Sequence, residues 1–281
     1  MNHIEPDLTG VLDMYDRDDL GANPIFQGNF INFGYWAGID LEKEITLEER
    51  VRASQALYQV VFDQFLEADH EGHRHHLVIA EIGCGRGMGC GLLGQHAKVK
   101  SITGIDLNEQ QIERARRINQ RLIQSNPNKM SFQQAPADNT GLQSNSFDVI
   151  YSVEASQHFP SFTDFAREVD RLLKPGGRFV QTTFFATDEG FDEILEKRFT
   201  TMESGVDHFR PLEDVKAMCD AIGFELTHES SIGEEVYYGF DKWMSQLDEE
   251  EQERWVSDLL KSFKEGLIDY TVLTYRKKEA E

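Results

Sequence analysis

The stretch that decides the fold is LVIAEIGCGRG, residues 77–87. Its first six residues form a short apolar run of the kind that builds a buried strand. Glycines at the alternate positions 83, 85 and 87 then let the chain bend sharply and let a ligand lie against the backbone. The stretch therefore predicts a strand that ends at a ligand-binding loop.

The segments on either side alternate between strand and helix patterns. The expected strands are 77–82, 99–105 with Asp106 at its end, 131–134, 146–152, 177–185 after a turn over Lys174–Gly177, 224–231 and 269–277. The expected helices are 46–65, 88–96, 109–125, 162–173, 212–222 and 242–264. Such alternation predicts an α/β fold with a Rossmann-like, seven-stranded and mostly parallel sheet flanked by helices. Its ligand should lie at the carboxyl ends of the strands.

The residues before the central stretch predict a lid and one helix. Thr46 and Glu49 form a capping box, and apolar residues at helical spacing continue to Phe65. Aromatic residues interleaved with glycine and asparagine between positions 23 and 36 do not fit one long helix. We interpret them as a lid, with ordinary core packing as the alternative. Histidines at 70, 73, 75 and 76 lack carboxylate or cysteine partners at regular spacing, so no metal site is expected.

Composition narrows the classes of partner. The chain of 281 residues has 28 Lys and Arg against 50 Asp and Glu, a net charge of −22 that repels phosphate backbones and anionic membranes. We therefore expect neither a nucleic-acid partner nor stable membrane association. Three unpaired cysteines and the absence of a signal-peptide pattern indicate a cytoplasmic protein. Homo-oligomerisation stays open.

No repeat, low-complexity tract or linker divides the chain, so we predict one domain over residues 1–281. Residues 1–76 would form the N-terminal lid and helix, and residues 77–185 the cofactor-binding core. Residues 186–281 would form a substrate-side helical insertion, the last helices and the last strands.

The loop does not carry the dinucleotide fingerprint. A G-x-G-x-x-G pattern starting at Gly83 fails because position 88 is Met, and the match at glycines 89, 91 and 94 falls inside an expected helix. Glu81 directly before the loop would repel a pyrophosphate and attract an ammonium or sulfonium group. These features favour a cationic nucleoside over a nicotinamide cofactor and argue against an oxidoreductase.

Four motifs in order resemble those of the class I S-adenosylmethionine-dependent methyltransferases. They are EIGCGRG at 81–87, GIDLN at 104–108, NSFDVI at 145–150 and LLKPGGR at 172–178. Within that superfamily the chain is most similar to small-molecule methyltransferases of natural-product and lipid pathways, because NFGYW at 32–36 and VEASQHF at 153–159 look like their lid and fourth-strand exit.

The resemblance implies S-adenosylmethionine as cofactor and S-adenosylhomocysteine as product. The glycine loop would accept the methionine end, and Asp106 would bind the two ribose hydroxyls. Pro136 stands where the family usually has an adenine-binding aspartate, so Asp138 or the backbone of Ala137 would make that contact. The implied cofactor-binding residues are Tyr35, Glu81, Gly83, Gly85, Gly87, Asp106, Leu107, Gln111, Ala137 and Asp138.

The resemblance also implies methyl transfer at the fourth-strand exit, in which the protein mainly holds the nucleophile close to the methyl group. A hydroxyl nucleophile needs a base, and because an imidazole titrates near neutral pH, His158 is the candidate. Glu154 would orient His158 or act as the base itself, and in carbon methylation it would stabilise a developing cation.

Ten aromatic residues would roof this site, with ordinary core packing as the alternative. They are Phe184, Phe185, Phe191, Phe199, Phe209, Phe240, Tyr237, Tyr238, Trp243 and Trp255. The expected acceptor is a small, largely hydrophobic metabolite methylated on a hydroxyl. Carbon or nitrogen methylation remains an alternative, as does a cofactor-binding protein that transfers no methyl group or catalyses another rearrangement.

Overall fold

A computed structural model describes residues 10–12, 14, 23–66, 76–248 and 258–279. Seven strands form one sheet in the order β3-β2-β1-β4-β5-β7-β6. Their bounds are β1 Leu77–Ile82, β2 Val99–Asp106, β3 Met130–Gln134, β4 Phe147–Val153, β5 Leu173–Ala186, β6 Phe224–Ser231 and β7 Ile268–Lys277.

Adjacent strands from β3 to β5 pair in parallel, and β7 is antiparallel to both of its neighbours. The expected α/β fold with a mostly parallel seven-stranded sheet is confirmed. Because β1 lies between β2 and β4, the glycine loop emerges at the centre of the sheet, beside the carboxyl ends of both neighbours. This is the edge where parallel sheets bind their ligands.

Helices cover both faces of the sheet. Buried side chains of α1, α3 and α9 belong to one core cluster, and those of α5 and α8 belong to another. The bounds are α1 Leu47–Leu66, α2 Met88–Leu93, α3 Glu109–Ile118, α4 Gln120–Ser125, α5 Phe162–Leu172, α6 Asp192–Arg198, α7 Thr200–Glu203, α8 Leu212–Ile222, α9 Gly233–Met244 and α10 Leu259–Lys264. No helix within the described residues is both long enough and apolar enough to span a bilayer.

Three expected elements differ from the structure. The helix over 109–125 is two helices, because the Asn119 side chain donates to the carbonyls of Gly87 and Ala115 where the helix would continue. The turn at 174–177 is a bulge inside β5, since Phe147 pairs with Leu173 while Val149 pairs with Arg178. The single helix expected over 242–264 is not present: α9 spans Gly233–Met244, α10 spans Leu259–Lys264, and residues 249–257 lie outside the described residues.

The capping box at the start of α1 is present. The Glu49 carboxylate accepts from the Thr46 backbone N–H at 2.9 Å, and the Thr46 hydroxyl accepts from the Glu49 N–H at 3.2 Å. Three of the four clustered histidines and Trp255 lie outside the described residues, and His76 is exposed. In the described part of the chain no three His, Cys, Asp or Glu side chains are grouped to hold a metal ion.

Segment 23–36, the expected lid, packs on α1 and α9. The Ile25 carbonyl accepts from the Trp243 indole at 3.1 Å, and the Trp36 N–H donates to the Glu235 carbonyl at 2.8 Å. Phe30 and Trp36 are buried. Asn29, Phe30 and Ile31 of this segment line the same cavity as Gly83 and Gly85 of the glycine loop, and we call the segment the lid segment below.

Candidate active site

A cavity opens at the carboxyl ends of β1, β2 and β4. Nine of the twelve predicted site residues line it: Gly83, Gly85, Asp106, Leu107, Gln111, Ala137, Asp138, Glu154 and His158. The structure thus brings together residues from four separate stretches of sequence. Tyr35, Glu81 and Gly87 are not among the lining residues.

Two glycines of the loop serve different purposes. A Cβ on Gly83 would lie 2.2 Å from the Cβ of Ala155, so this glycine lets the loop pack against the β4 exit. A Cβ on Gly85 would meet no protein atom within 4 Å, although Gly85 also lines the cavity. Gly83 is therefore required by protein packing, whereas Gly85 leaves space that a bound molecule can use.

The polar groups beside Gly85 lie at the end of β2. The Asp106 carboxylate accepts from the Gly85 N–H at 2.8 Å and from the Asn108 N–H at 2.9 Å. Burial raises the pKa of Asp106, and these two hydrogen bonds oppose that effect. Gln111 at the start of α3 is 1% exposed, and its side-chain amide has no partner among the described residues.

Unpartnered buried amides are rare because they forfeit their hydrogen bonds to water, so Gln111 indicates a polar ligand. A carboxylate, an amide and an open glycine on one wall suit the hydroxyl and amino-acid groups of S-adenosylmethionine. Pro136, Ala137 and Asp138 line the cavity further along. Whether Asp138 or the Ala137 backbone binds adenine stays a prediction.

Glu81 lies behind the glycine loop rather than in the cavity. It is fully buried, and its carboxylate accepts from the Tyr58 hydroxyl at 3.2 Å, the Tyr151 hydroxyl at 2.9 Å and the Cys90 thiol at 3.0 Å. Burial raises the pKa of Glu81 to about 7, against the effect of these donors. The structure places Glu81 where it joins α1, β4 and α2 beneath the loop rather than on the cavity wall, and its contact with the cofactor stays a prediction.

Gly87 and Tyr35 also have structural surroundings. A Cβ on Gly87 would lie 2.6 Å from the Phe132 ring, so the glycine permits close packing of α2 on β3. The Tyr35 N–H donates to the Ala53 carbonyl at 2.9 Å, which fixes the lid segment to α1. Neither residue reaches the cavity wall.

Glu154 follows β4 directly and faces the cavity. Its φ of +45° is in the left-handed region, which is unfavourable for a residue with a side chain and is often found at functional sites. Oε1 accepts from the Phe33 N–H at 2.8 Å and from the Tyr270 hydroxyl at 2.7 Å. Burial raises the pKa of Glu154 to about 7, although both hydrogen bonds favour the charged form.

His158 lies one turn further on, and its ring is held from two sides. Nδ1 is 3.0 Å from the Val206 carbonyl and 3.0 Å from the Asp207 carboxylate, so this nitrogen carries the proton. Nε2 is 3.2 Å from the Gln157 amide, whose oxygen accepts from the Thr183 hydroxyl at 2.8 Å. The Gln157 amide nitrogen therefore donates to Nε2, and this contact occupies the lone pair that a base would use.

Asp207 was missed by sequence reasoning because it lies far along the chain from His158 and belongs to no recognised motif. The fold brings it close because Ala186 and Pro211 form a parallel bridge and the His208 N–H donates to the Gln157 carbonyl at 2.8 Å. Burial alone would lower the pKa of His158, but Asp207, the Val206 carbonyl and Asp106 together outweigh it, and the pKa is raised from 6.5.

We expect Asp207→Asn to lower the pKa of His158. A His pKa that folding raises gives stability that is complete below the unfolded value of 6.5 and is lost as pH rises through the folded value. The variant should therefore lose the most stability at about pH 5.5 and little at about pH 8.5. Imidazole NMR titration and urea unfolding at the two pH values measure this, and an equal loss at both would contradict it.

The aromatic residues expected to roof the site are mainly core. Phe184, Phe199, Phe209, Phe240 and Tyr237 belong to a buried cluster and do not line the cavity. The ring centroids of Phe184 and Phe209 are 4.5 Å apart, as in a packed interior. The apolar wall of the cavity comes instead from non-aromatic side chains and three other phenylalanines: Val11, Leu12, Phe30, Ile31, Met88, Phe159 and Phe165.

The central region of the chain is similar to known proteins. Residues 80–181 match the family described as Methyltransferase domain. The chain is 33% identical over 153 residues to a fatty-acid O-methyltransferase of Mycolicibacterium smegmatis, covering 54% of this chain and 52% of that protein. It is 29% identical over 174 residues to a sterol 24-C-methyltransferase of Gibberella zeae, covering 57% and 45%. The chain thus spans about half the length of these relatives.

A solved structure extends the similarity beyond the central region. The cyclopropane synthase MmaA2 of Mycobacterium tuberculosis superposes with a TM-score of 0.76 at 20% identity, covering 98% of this chain and 100% of that one. The described lid, helices and sheet therefore share their fold with that protein. At this identity the similarity concerns the fold alone.

Proposed function

We propose that this chain, whose residues 80–181 match the Methyltransferase domain family, is an S-adenosylmethionine-dependent methyltransferase that methylates a hydroxyl group of a small, largely apolar acceptor. S-adenosylmethionine, when bound, would supply a methyl group attached to a positively charged sulfur. The sulfur leaves as the thioether of S-adenosylhomocysteine when an electron-rich atom of the acceptor takes the methyl group. Gly83, Gly85, Asp106 and Gln111 would hold it on the wall described above. The residues of this chain position the acceptor and manage its proton.

The single observation that carries the proposal is the state of Glu154. Both donors bind Oε1, and no residue in the described part of the chain donates to Oε2, which belongs to a side chain on the cavity wall. A carboxylate whose pKa is about 7 can accept a proton from a hydroxyl near neutral pH. His158 is less suited because the Gln157 amide occupies its Nε2. We therefore assign Glu154 as the base. His158 is a neighbouring residue that is held in place by the contacts described above.

The apolar wall supports the class of acceptor. Val11, Leu12, Phe30 and Ile31 line the cavity, and the Phe30 side chain is fully buried from solvent. Their hydrocarbon surfaces favour an acceptor with an alkyl or polycyclic body, such as the fatty acid and the sterol after which the two relatives are named. The identity of the acceptor stays a proposal at the level of this chemical class.

A second candidate is methylation of an alkene carbon. The observation that favours it is that the Glu154 carboxylate lines the same cavity as the apolar side chains of Phe30, Ile31 and Val153. A negative group in such surroundings can stabilise a carbocation and then remove its proton. The sterol 24-C-methyltransferase relative supports this reading.

The experiment is transfer from S-adenosylmethionine with a labelled methyl group to fractionated lipid and metabolite extracts. Mass spectrometry of the product separates an ether or ester methyl group from a carbon-bound methyl group. Label on oxygen supports the proposal, and label on carbon supports the second candidate. Cofactor binding in calorimetry without labelled product from any fraction would contradict both.

A further inference from the structure

Arg50 of α1 is a fully buried cation that is not ion-paired in the described part of the chain. Its guanidinium donates to the carbonyl oxygens of Ile25 at 3.1 Å and Asn32 at 2.6 Å, and to the Ser54 hydroxyl. Its charged carbon lies 5.5 Å from the ring centroid of Trp36. Arg50 therefore holds the lid segment at two carbonyls and one ring.

One of these carbonyls belongs to the peptide group that also touches Glu154. The Asn32 carbonyl accepts from Arg50, and the N–H of the same peptide group, that of Phe33, donates to Glu154 Oε1 at 2.8 Å. Hydrogen bonds at both ends of one peptide group polarise it in the same direction and strengthen each other in a buried setting. The lid peptide is thus held between a cation and an anion that do not touch each other.

We propose that Arg50 is a positioning residue for Glu154, acting through the Asn32–Phe33 peptide group, so that docking of the lid segment orients the proposed base. This inference rests on the proposed function only in treating Glu154 as a base. The contact itself does not depend on any acceptor, so it can be tested without turnover.

The energetics favour a positioning role over simple packing. Burial of a guanidinium is costly, and apolar residues of similar volume often fill such positions with no loss of stability. Burial lowers the pKa of Arg50 to about 10, so it stays charged at neutral pH, and its charge in turn favours the ionised form of Glu154. The other titratable groups that act on or respond to Glu154 are Tyr270 and Tyr237 from β7 and α9 and His158 from the β4 exit.

The test compares Arg50→Met, Arg50→Lys and Glu154→Gln with Arg52→Met, a control that removes an exposed charge from the same helix. Hydrogen exchange of the peptide over the lid segment is followed without acceptor. Arg50→Met removes the cation that polarises the peptide group, and Glu154→Gln turns the charge-assisted hydrogen bond from Phe33 into a neutral one, so each should speed exchange at Phe33 about tenfold. Arg52→Met should leave it unchanged.

The second readout is the pKa of Glu154, followed by NMR of protein labelled with carbon-13 in the Glu side chains and assigned with Glu154→Gln. Arg50→Met should move this pKa upward from about 7, and Arg50→Lys should keep it near the wild-type value because the charge remains. If Arg50→Met does not fold, Arg50→Lys and Glu154→Gln carry the test through exchange. An unchanged Phe33 exchange rate in Glu154→Gln, or a Glu154 pKa in Arg50→Met equal to that in Arg52→Met, would overturn the inference.

Discussion

Replacement of Glu154 by glutamine is expected to lower kcat by about 10²- to 10⁴-fold, the range for loss of a general base. Glutamine keeps the shape and can still accept from the Phe33 N–H and the Tyr270 hydroxyl at Oε1. The lid contact is weakened but the cavity wall is retained, so the Kd for S-adenosylmethionine should change little. Single-turnover kinetics with calorimetry separate the two effects.

The pH dependence gives the same prediction an independent check. Because the pKa of Glu154 is about 7, wild-type kcat should fall as pH drops through about 7, and the residual activity of Glu154→Gln should lack this limb. His158→Ala should retain the limb. If His158→Ala removes the limb and Glu154→Gln keeps it, the base is the histidine and our assignment is wrong.

Stability should respond in the opposite sense. A carboxyl group whose pKa is raised by folding binds its proton more tightly in the folded protein, so its contribution is most favourable below pH 4.5 and declines as pH rises toward about 7. Wild type should therefore lose stability relative to Glu154→Gln over this interval. Urea unfolding at the two ends of the interval measures the difference, which distinguishes ionisation of Glu154 from a general effect of the substitution.

The backbone of the fold was predictable because its signals are local. The strands over 77–82 and 224–231 and the helix over 212–222 have their expected bounds. An apolar run marks the first strand, and Gly223 both ends the helix and precedes the second strand. The break at Asn119 was not predictable from the helix itself. Its cause is a hydrogen bond to Gly87, a contact that exists only after the sheet has formed.

The candidate site also has some residues whose position could be predicted from local signals and others whose position depends on tertiary contacts. Asp106 and Glu154 follow directly from strands whose ends meet at one sheet edge, so their position in the cavity could be predicted. Glu81 could not be placed, because whether a strand-end carboxylate faces the cavity or the core depends on Tyr58 and Tyr151 from other elements. The position of Asp207 could not be predicted, because it depends on the path of the segment after α7, which carries no periodic pattern.

Arg50 shows a further limit of sequence reasoning. It lies in α1 among apolar side chains, where a charged residue between Glu49 and Val51 looks like part of the exposed face. Its burial arises because the lid segment folds back and presents two carbonyl oxygens at one end of the helix. Such a tertiary arrangement produces no spacing pattern in the sequence, although it determines which side chain acts on the proposed base through the lid segment.

Substitution of Gly85 by alanine is expected to weaken S-adenosylmethionine binding by about tenfold to hundredfold, equivalent to about 1–3 kcal/mol of overpacking. The added Cβ meets no protein atom within 4 Å and enters space at the cavity wall. The backbone there has φ +47°, so the substitution also strains the loop.

Gly38 provides a matched control for that strain. It has φ +77°, its added Cβ would also meet nothing within 4 Å, and it does not line the cavity. Both alanine variants should lose about 1–2 kcal/mol of stability from the left-handed backbone, but only Gly85→Ala should lose affinity in calorimetry. Equal affinity in the two variants would mean that the glycine loop does not contact the cofactor. A loss confined to Gly85→Ala would place the cofactor against the backbone of the stretch on which the fold is built.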